Sequence, residues 1–152
     1  MFLGLINPVK AQNKDIAISV SCISVDNAKI NVLLLITSNS KKKQKIIKPN
    51  KTHSNISINY PWSIIIEKGD VKLCAPEVVL GYGMETIELS KNKSKSFIIE
   101  IDLNKLVDCN TEDKHLFQQE LYGEFNIIFQ YMYKGKIINS NILSIVNTVV
   151  WN

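Results

Sequence analysis

Arginine is missing from this 152-residue chain; all 18 of its basic residues are lysine. The absence argues against a nucleic-acid partner, because the forked guanidinium makes bidentate contacts to guanine and phosphate that an ammonium cannot. Histidine is nearly as scarce. With only His53 and His115, a hydrolytic triad or a paired-histidine zinc site has few imidazoles to draw on. No apolar stretch approaches the roughly 18–20 residues that a membrane-spanning helix needs, so no integral membrane segment is expected. The longest clean runs, Val32 to Ile36 and Ile64 to Ile66, have strand length. No Cys-x-x-Cys pair and no calcium loop of spaced Asp or Asn around a central glycine occur, and no cofactor is expected.

What is present describes one globular domain. Hydrophobic residues make up 45% of the chain and charged residues 21%, values that exclude disorder and a polytopic membrane protein. The length suffices for a core that needs no staples. Abundant Lys, Ile and Asn read as AT-rich coding bias, so the net charge of +4 carries little weight. The densest basic segment, Lys41-Lys42-Lys43-Gln44-Lys45 with Lys48 and Lys51, reads as a solvated loop or a lysine-protected sheet edge. Of Cys22, Cys74 and Cys109, one pair could bridge in an oxidising compartment, and the spacing does not say which. Cys22 falls in phase with a core face and is expected to be buried.

Residues 1–12, MFLGLINPVKAQ, form a short apolar run followed by Pro8. Val9 and Ala11 stand at the −3 and −1 positions of a cut before Gln12. The segment resembles the end of a secretory signal peptide, particularly the Val-Lys-Ala-Gln endings of exported Bacteroidetes proteins, although the basic beginning is missing. The alternative is a flexible N-terminal tail or short strand. The expected location is secreted, or in the periplasm or cell envelope, and the expected domain is 13–152.

Nearly every later segment has strand periodicity. Ile16, Ile18, Val20 and Cys22 alternate with polar neighbours, and Asp26-Asn27 marks a turn. Ile30 to Ile36 is apolar on both faces, which predicts a central strand covered on both sides. Ile56, Ile58 and Tyr60 alternate up to Pro61, and Trp62, Ile64 and Ile66 then share one face. Lys68-Gly69-Asp70 turns into Val71 to Leu73, and a looser stretch follows through Val78 to Leu80. Further strands are expected at Thr86 to Leu89, Phe97 to Ile101, Phe125 to Tyr133, Lys136 to Ile138 and Ile142 to Trp151. One short helical insertion is expected near 103–121, capped by Asn104 or Asn110-Thr111. The sum is an all-β antiparallel sandwich of about eight or nine strands.

Three stretches carry a resemblance: INVLLLITSNS (30–40), IELSKNKSKSFIIEIDL (87–103) and YGEFNIIFQYMYKGKIINSNILSIV (122–146). They look like the immunoglobulin-like sandwich modules of exported bacterial proteins, in which Gly-x-aromatic and Ser-Asn-x-Leu elements form the terminal hairpin. The resemblance implies a fold. Such sandwiches serve as adhesion modules, accessory domains of secreted enzymes and small proteinase inhibitors, so it does not choose an activity.

No constellation of reactive residues has a catalytic pattern. His53 sits in the polar Lys51-Thr52-His53-Ser54 stretch and reads as solvated. Cys109, Glu112, Asp113 and His115 crowd together but match no zinc spacing, and a polar loop or helix start explains them better. Three Asn-x-Ser/Thr sequons, at Asn50, Asn55 and Asn92, are ascribed to chance in so Asn- and Ser-rich a chain. The most suggestive stretch is Gly81-Tyr82-Gly83-Met84, where glycines flank an aromatic that a partner could grip; the alternative is a turn tucked onto the sandwich edge. With Tyr60 and Trp62, Tyr82 and Met84 form the candidate binding set. The expected function is a non-catalytic exported module that binds a protein or glycan through loop ends or a sheet face. The alternative is a small secreted proteinase inhibitor of β-sandwich type that inserts Tyr82 into an enzyme cleft.

Overall fold

Period-two alternation sends one side of each strand inward, and the sandwich follows from it. The computed structural model describes residues 15–26, 28–49, 61–74, 85–109 and 121–147. They form eleven strands: β1 Ile16–Asp26, β2 Lys29–Ser38, β3 Gln44–Ile47, β4 Trp62–Lys68, β5 Val71–Cys74, β6 Thr86–Leu89, β7 Ser94–Asp102, β8 Val107–Asp108, β9 Gly123–Tyr133, β10 Lys136–Asn139 and β11 Leu143–Asn147. Short β3 and β8 are the strands the periodicity does not predict, while β10 and β11 answer to the expected strands at Lys136 to Ile138 and from Ile142. Expectations for residues 1–12, 56–60, 78–80 and 148–151 lie outside the described residues.

All strand pairs are antiparallel. One sheet has the order β1-β2-β7; the other runs β10-β9-β4-β5-β8, with β11 also on β9; β3 and β6 form a separate two-stranded ladder. With β3, β5 and β8 set aside, the first, second and fifth strands share one sheet and the third, sixth, seventh and eighth the other. That is the partition of an immunoglobulin-type sandwich. The departure is β6, which pairs with β3 instead of β7.

The core lies between the two larger sheets. Ile16, Ile18 and Val20 of β1, Ile30, Val32, Leu34 and Ile36 of β2 and Ile99 and Ile101 of β7 meet Ile64, Ile66, Phe125, Ile127 and Phe129. Each such side chain contributes about 1.5–3 kcal/mol by leaving water. Two-residue turns close the hairpins at Gly69-Asp70 and Lys134-Gly135. Lys134 and Gly135 both have positive φ (48° and 77°), as the tight turn matching strand twist requires.

Three expectations are corrected. β2 is central, hydrogen-bonded on both sides, but the described residues cover only one of its faces: Leu33 is half-buried, and Ile98, opposite it on β7, is 60% exposed. Cys22 is exposed. Its register partner Val32 is fully buried, but β1 is one strand further out, at the sheet edge. There the described residues cover only Ile16, Ile18 and Val20, and Ser21 to Asp26 are all exposed. The helical insertion begins as a single 3-10 turn, Leu103–Lys105, capped by Asp102 rather than Asn104. The Asp102 carboxylate accepts the Asn104 N–H at 3.0 Å, and β8 follows at once. Residues 110–120 of that expectation lie outside the described residues.

Candidate binding site

Trp62 opens β4 with its side chain on the same face as Ile64 and Ile66, and that phase carries it into the core, where it is 3% exposed. Its ring lies 4.4 Å from that of Tyr131, tilted by 35°. The indole Nε1 donates to the Ile47 carbonyl at 2.7 Å, and the Tyr131 hydroxyl accepts the Ile47 N–H at 2.9 Å. Two aromatic side chains of one sheet thus hold both backbone groups at the end of β3. Burial pushes the Tyr131 phenol up from its ordinary value; the bond from Ile47 lowers it and neighbouring Tyr133 raises it. Tyr131 is accordingly a neutral structural phenol.

The ties continue into the lysine-rich connection. The Tyr133 hydroxyl donates to Gln44 Oε1, while Gln44 Nε2 donates to Ser40 Oγ at 2.9 Å and to the Lys42 carbonyl at 3.2 Å. Gln44 is a buried polar side chain whose amide oxygen and nitrogen are both bonded, as its burial demands. Lys134 Nζ stands 5.0 Å from the centroid of the Tyr133 ring, within cation–π range.

Trp62 therefore supports the framework and offers a partner almost no surface. Tyr60, Tyr82 and Met84 lie outside the described residues. What the structure adds is a disulfide: Cys74 at the end of β5 bonds Cys109 just past β8, with Cα atoms 5.2 Å apart. The adjacent pairing of Leu73 with Asp108 and Cys74 with Val107, and the Cys109 N–H donated to the Lys72 carbonyl at 3.0 Å, align the two half-cystines. In the chain, Cys74 immediately precedes residues 75–84 and Cys109 immediately precedes residues 110–120. The bridge also withdraws Cys109 from the Cys109, Glu112, Asp113, His115 set, since a disulfide sulfur is not the thiolate that metals take. His53, Glu112, Asp113 and His115 lie outside the described residues. Among the described residues, no three His, Cys, Asp or Glu side chains gather as metal ligands.

A second clamp went unread in the sequence. Asn141, between β10 and β11, accepts the Val20 N–H on Oδ1 at 2.8 Å and donates Nδ2 to the Val20 carbonyl at 3.1 Å. Its carboxamide serves the open edge of β1 as a strand backbone would. Ser140 positions it. Its Oγ accepts the Phe129 N–H at 2.9 Å and donates to the Asn141 carbonyl at 2.7 Å. The Ser-Asn pair was visible in the sequence; its partner, 121 residues away, was not. The chain matches no protein-family model and no curated protein.

Proposed function

We propose that this protein is an exported, non-catalytic binding module that displays chain segments on a braced immunoglobulin-like sandwich to bind a protein or glycan. The observation that carries the reading is the Cys74–Cys109 bridge. Disulfides persist in oxidising compartments, which agrees with a signal-like segment ending before Gln12. The bridge also ties down the root of segment 75–84, which bears Tyr82 and Met84, and aromatic anchors work best from a rigid base. Tyr60, Tyr82 and Met84 are the proposed contacts; Trp62, sealed in the core, holds the frame. The alternative, a proteinase inhibitor, would use the same braced segment.

Fractionation of the native host followed by thiol alkylation tests export. The protein should appear outside the cytosol, start at Gln12, and label at Cys22 alone. A cytosolic protein with Cys74 and Cys109 both labelled would sink the reading. A protease panel separates the two functions: inhibition abolished by Tyr82→Ala selects the inhibitor, and a flat panel removes it.

A further inference from the structure

The lysine run, unremarkable as a sequence, changes meaning once folded. The connections Asn39–Lys43, from β2 to β3, and Ser90–Lys93, from β6 to β7, run side by side. Strand pairing joins them at both ends, with Thr37 opposite Ser94 on one side and Gln44 opposite Leu89 on the other. Between these, the Ser38 N–H donates to the Lys93 carbonyl at 2.9 Å and the Asn92 N–H to the Ser38 carbonyl at 2.8 Å. The result is a two-stranded ribbon of residues 37–47 and 86–97 that crosses from one ladder to the other.

This ribbon carries Lys41, Lys42, Lys43, Lys45, Lys91, Lys93 and Lys95, all exposed, against a single acid, Glu88. Only Lys43 forms an ion pair within it, with Glu88 at 3.5 Å. Seven positive charges less one leave a surplus of six, while the whole chain is only +4, so everything outside the ribbon is −2. The chain's positive charge is thus gathered on this ribbon. Close-set like charges repel and raise the potential that a polyanion would relieve.

We propose that this lysine ribbon binds an acidic polysaccharide, a chain of repeating carboxylate or sulfate groups; the inference rests on the binding-module reading and names its partner class. The ribbon's other exposed side chains include Asn39, Ser90, Asn92, Ser94 and Ser96, hydroxyls and amides suited to sugar hydroxyls. No large exposed hydrophobic belongs to either segment, Leu35 and Ile98 standing just past their ends, so the ribbon itself has little to enter the headgroup boundary of a membrane. No aromatic is exposed there to stack bases, and no arginine exists to fork onto phosphate. Lysine ammoniums are point charges tolerant of direction, which fits a flexible chain of anions.

The test titrates the intact protein with polygalacturonate and dextran sulfate, alongside neutral dextran, phosphatidylglycerol vesicles and a single-stranded oligonucleotide. Binding to at least one acidic polysaccharide and none to neutral dextran is expected. By counterion release from about four contacts, affinity should fall roughly 50- to 150-fold between 50 and 200 mM salt. The quadruple variant Lys41→Ala, Lys42→Ala, Lys91→Ala, Lys93→Ala should lose at least tenfold in affinity and flatten the salt dependence. Its thermal melt should be unchanged, because these side chains are exposed. The control pair Lys134→Ala, Lys136→Ala should change binding less than threefold. No polysaccharide binding, equal losses in both variants, or tighter binding to vesicles or oligonucleotide overturns the proposal. Such a failure leaves export and the Tyr82 contact standing, since those are decided by fractionation and the protease panel.

Discussion

Two clamps hold strands of this sandwich, and they do the same chemical job with different materials. At Ile47, Trp62 and Tyr131 take the backbone carbonyl and N–H separately; at Val20, the single carboxamide of Asn141 takes both. The aromatic clamp is also core, since Trp62 and Tyr131 are each 3% exposed. The amide clamp is a half-buried bond pair at a sheet edge with little apolar surface of its own. The difference teaches that identical backbone satisfaction can be coupled to packing or kept apart from it. Truncation should therefore cost a cavity plus a bond in one case and bonds alone in the other.

Trp62→Ala should have the largest effect, about 3–5 kcal/mol from the emptied volume, with the Ile47 carbonyl losing its donor as well. Chemical denaturation of the variant checks it; a loss under about 1 kcal/mol would mean that the indole is not core. Removing the disulfide with Cys74→Ala and Cys109→Ala supplies a reference of about 3–4 kcal/mol for its separation of 35 residues on the chain-entropy account. Because that account acts on the unfolded chain, native-state exchange of the Val20 and Ile47 amides relative to global stability should stay as it was. Local acceleration at either amide would show that the bridge also braces a clamp.

Asn141→Ala removes both partners of Val20 at once and should cost about 1–3 kcal/mol. Hydrogen exchange should accelerate at Val20 and leave Ile47 protected. If both amides accelerate together, the clamps are coupled and the comparison fails.

Tyr131→Phe is the milder cut at the other clamp: it keeps the ring against Trp62 and removes the acceptor for the Ile47 N–H, at about 1 kcal/mol. It also carries a pH signature. Burial raises the phenol above its ordinary value of 10.0, so the folded state holds that proton where the unfolded chain has released it. Stability is then unaffected below about pH 10 and falls as pH rises beyond it. The phenylalanine variant should show a shallower alkaline loss, measured as melting temperature between pH 9 and 11; an unchanged slope would remove Tyr131 as its source.

The fold was readable where alternation was long or its boundaries sharp. The Thr86 to Leu89 strand is observed with those very bounds, and the alternation from Phe125 to Tyr133 lies within β9. β3 went unseen because Gln44-Lys45-Ile46-Ile47 is four residues long and follows a run of lysines, although Gln44 and Ile46 do point inward. Cys22 is exposed despite its phase, because periodicity reports which face a residue takes, while burial depends on whether the opposite sheet reaches that far. Trp62 teaches the converse. Its shared phase with Ile64 and Ile66 already marked it as core, and its aromatic identity drew it into the binding set. The lysine ribbon and Asn141 both depend on contacts between distant segments, Ser38 with Lys93 and Val20 with Asn141, which no local pattern encodes.

The smallest expected effect falls where neither clamp reaches. Ser38 ends β2 with its backbone N–H and carbonyl both bonded to the Asn92-Lys93 turn, yet its hydroxyl is fully buried with no hydrogen-bond partner. The clamps show that this fold satisfies buried polar groups at some distance in sequence; here it does not. An unpaired buried hydroxyl carries a desolvation cost without a return bond, so Ser38→Ala should be neutral or stabilising by up to about 1 kcal/mol. Alanine keeps the Cβ and every backbone bond, so the ribbon's geometry should persist and polysaccharide affinity should not move. A destabilisation above 1 kcal/mol would mean that the hydroxyl has a partner in solution. Ser38 would then join Val20, Ile47 and Gln44 among the places where the fold answers a buried polar group.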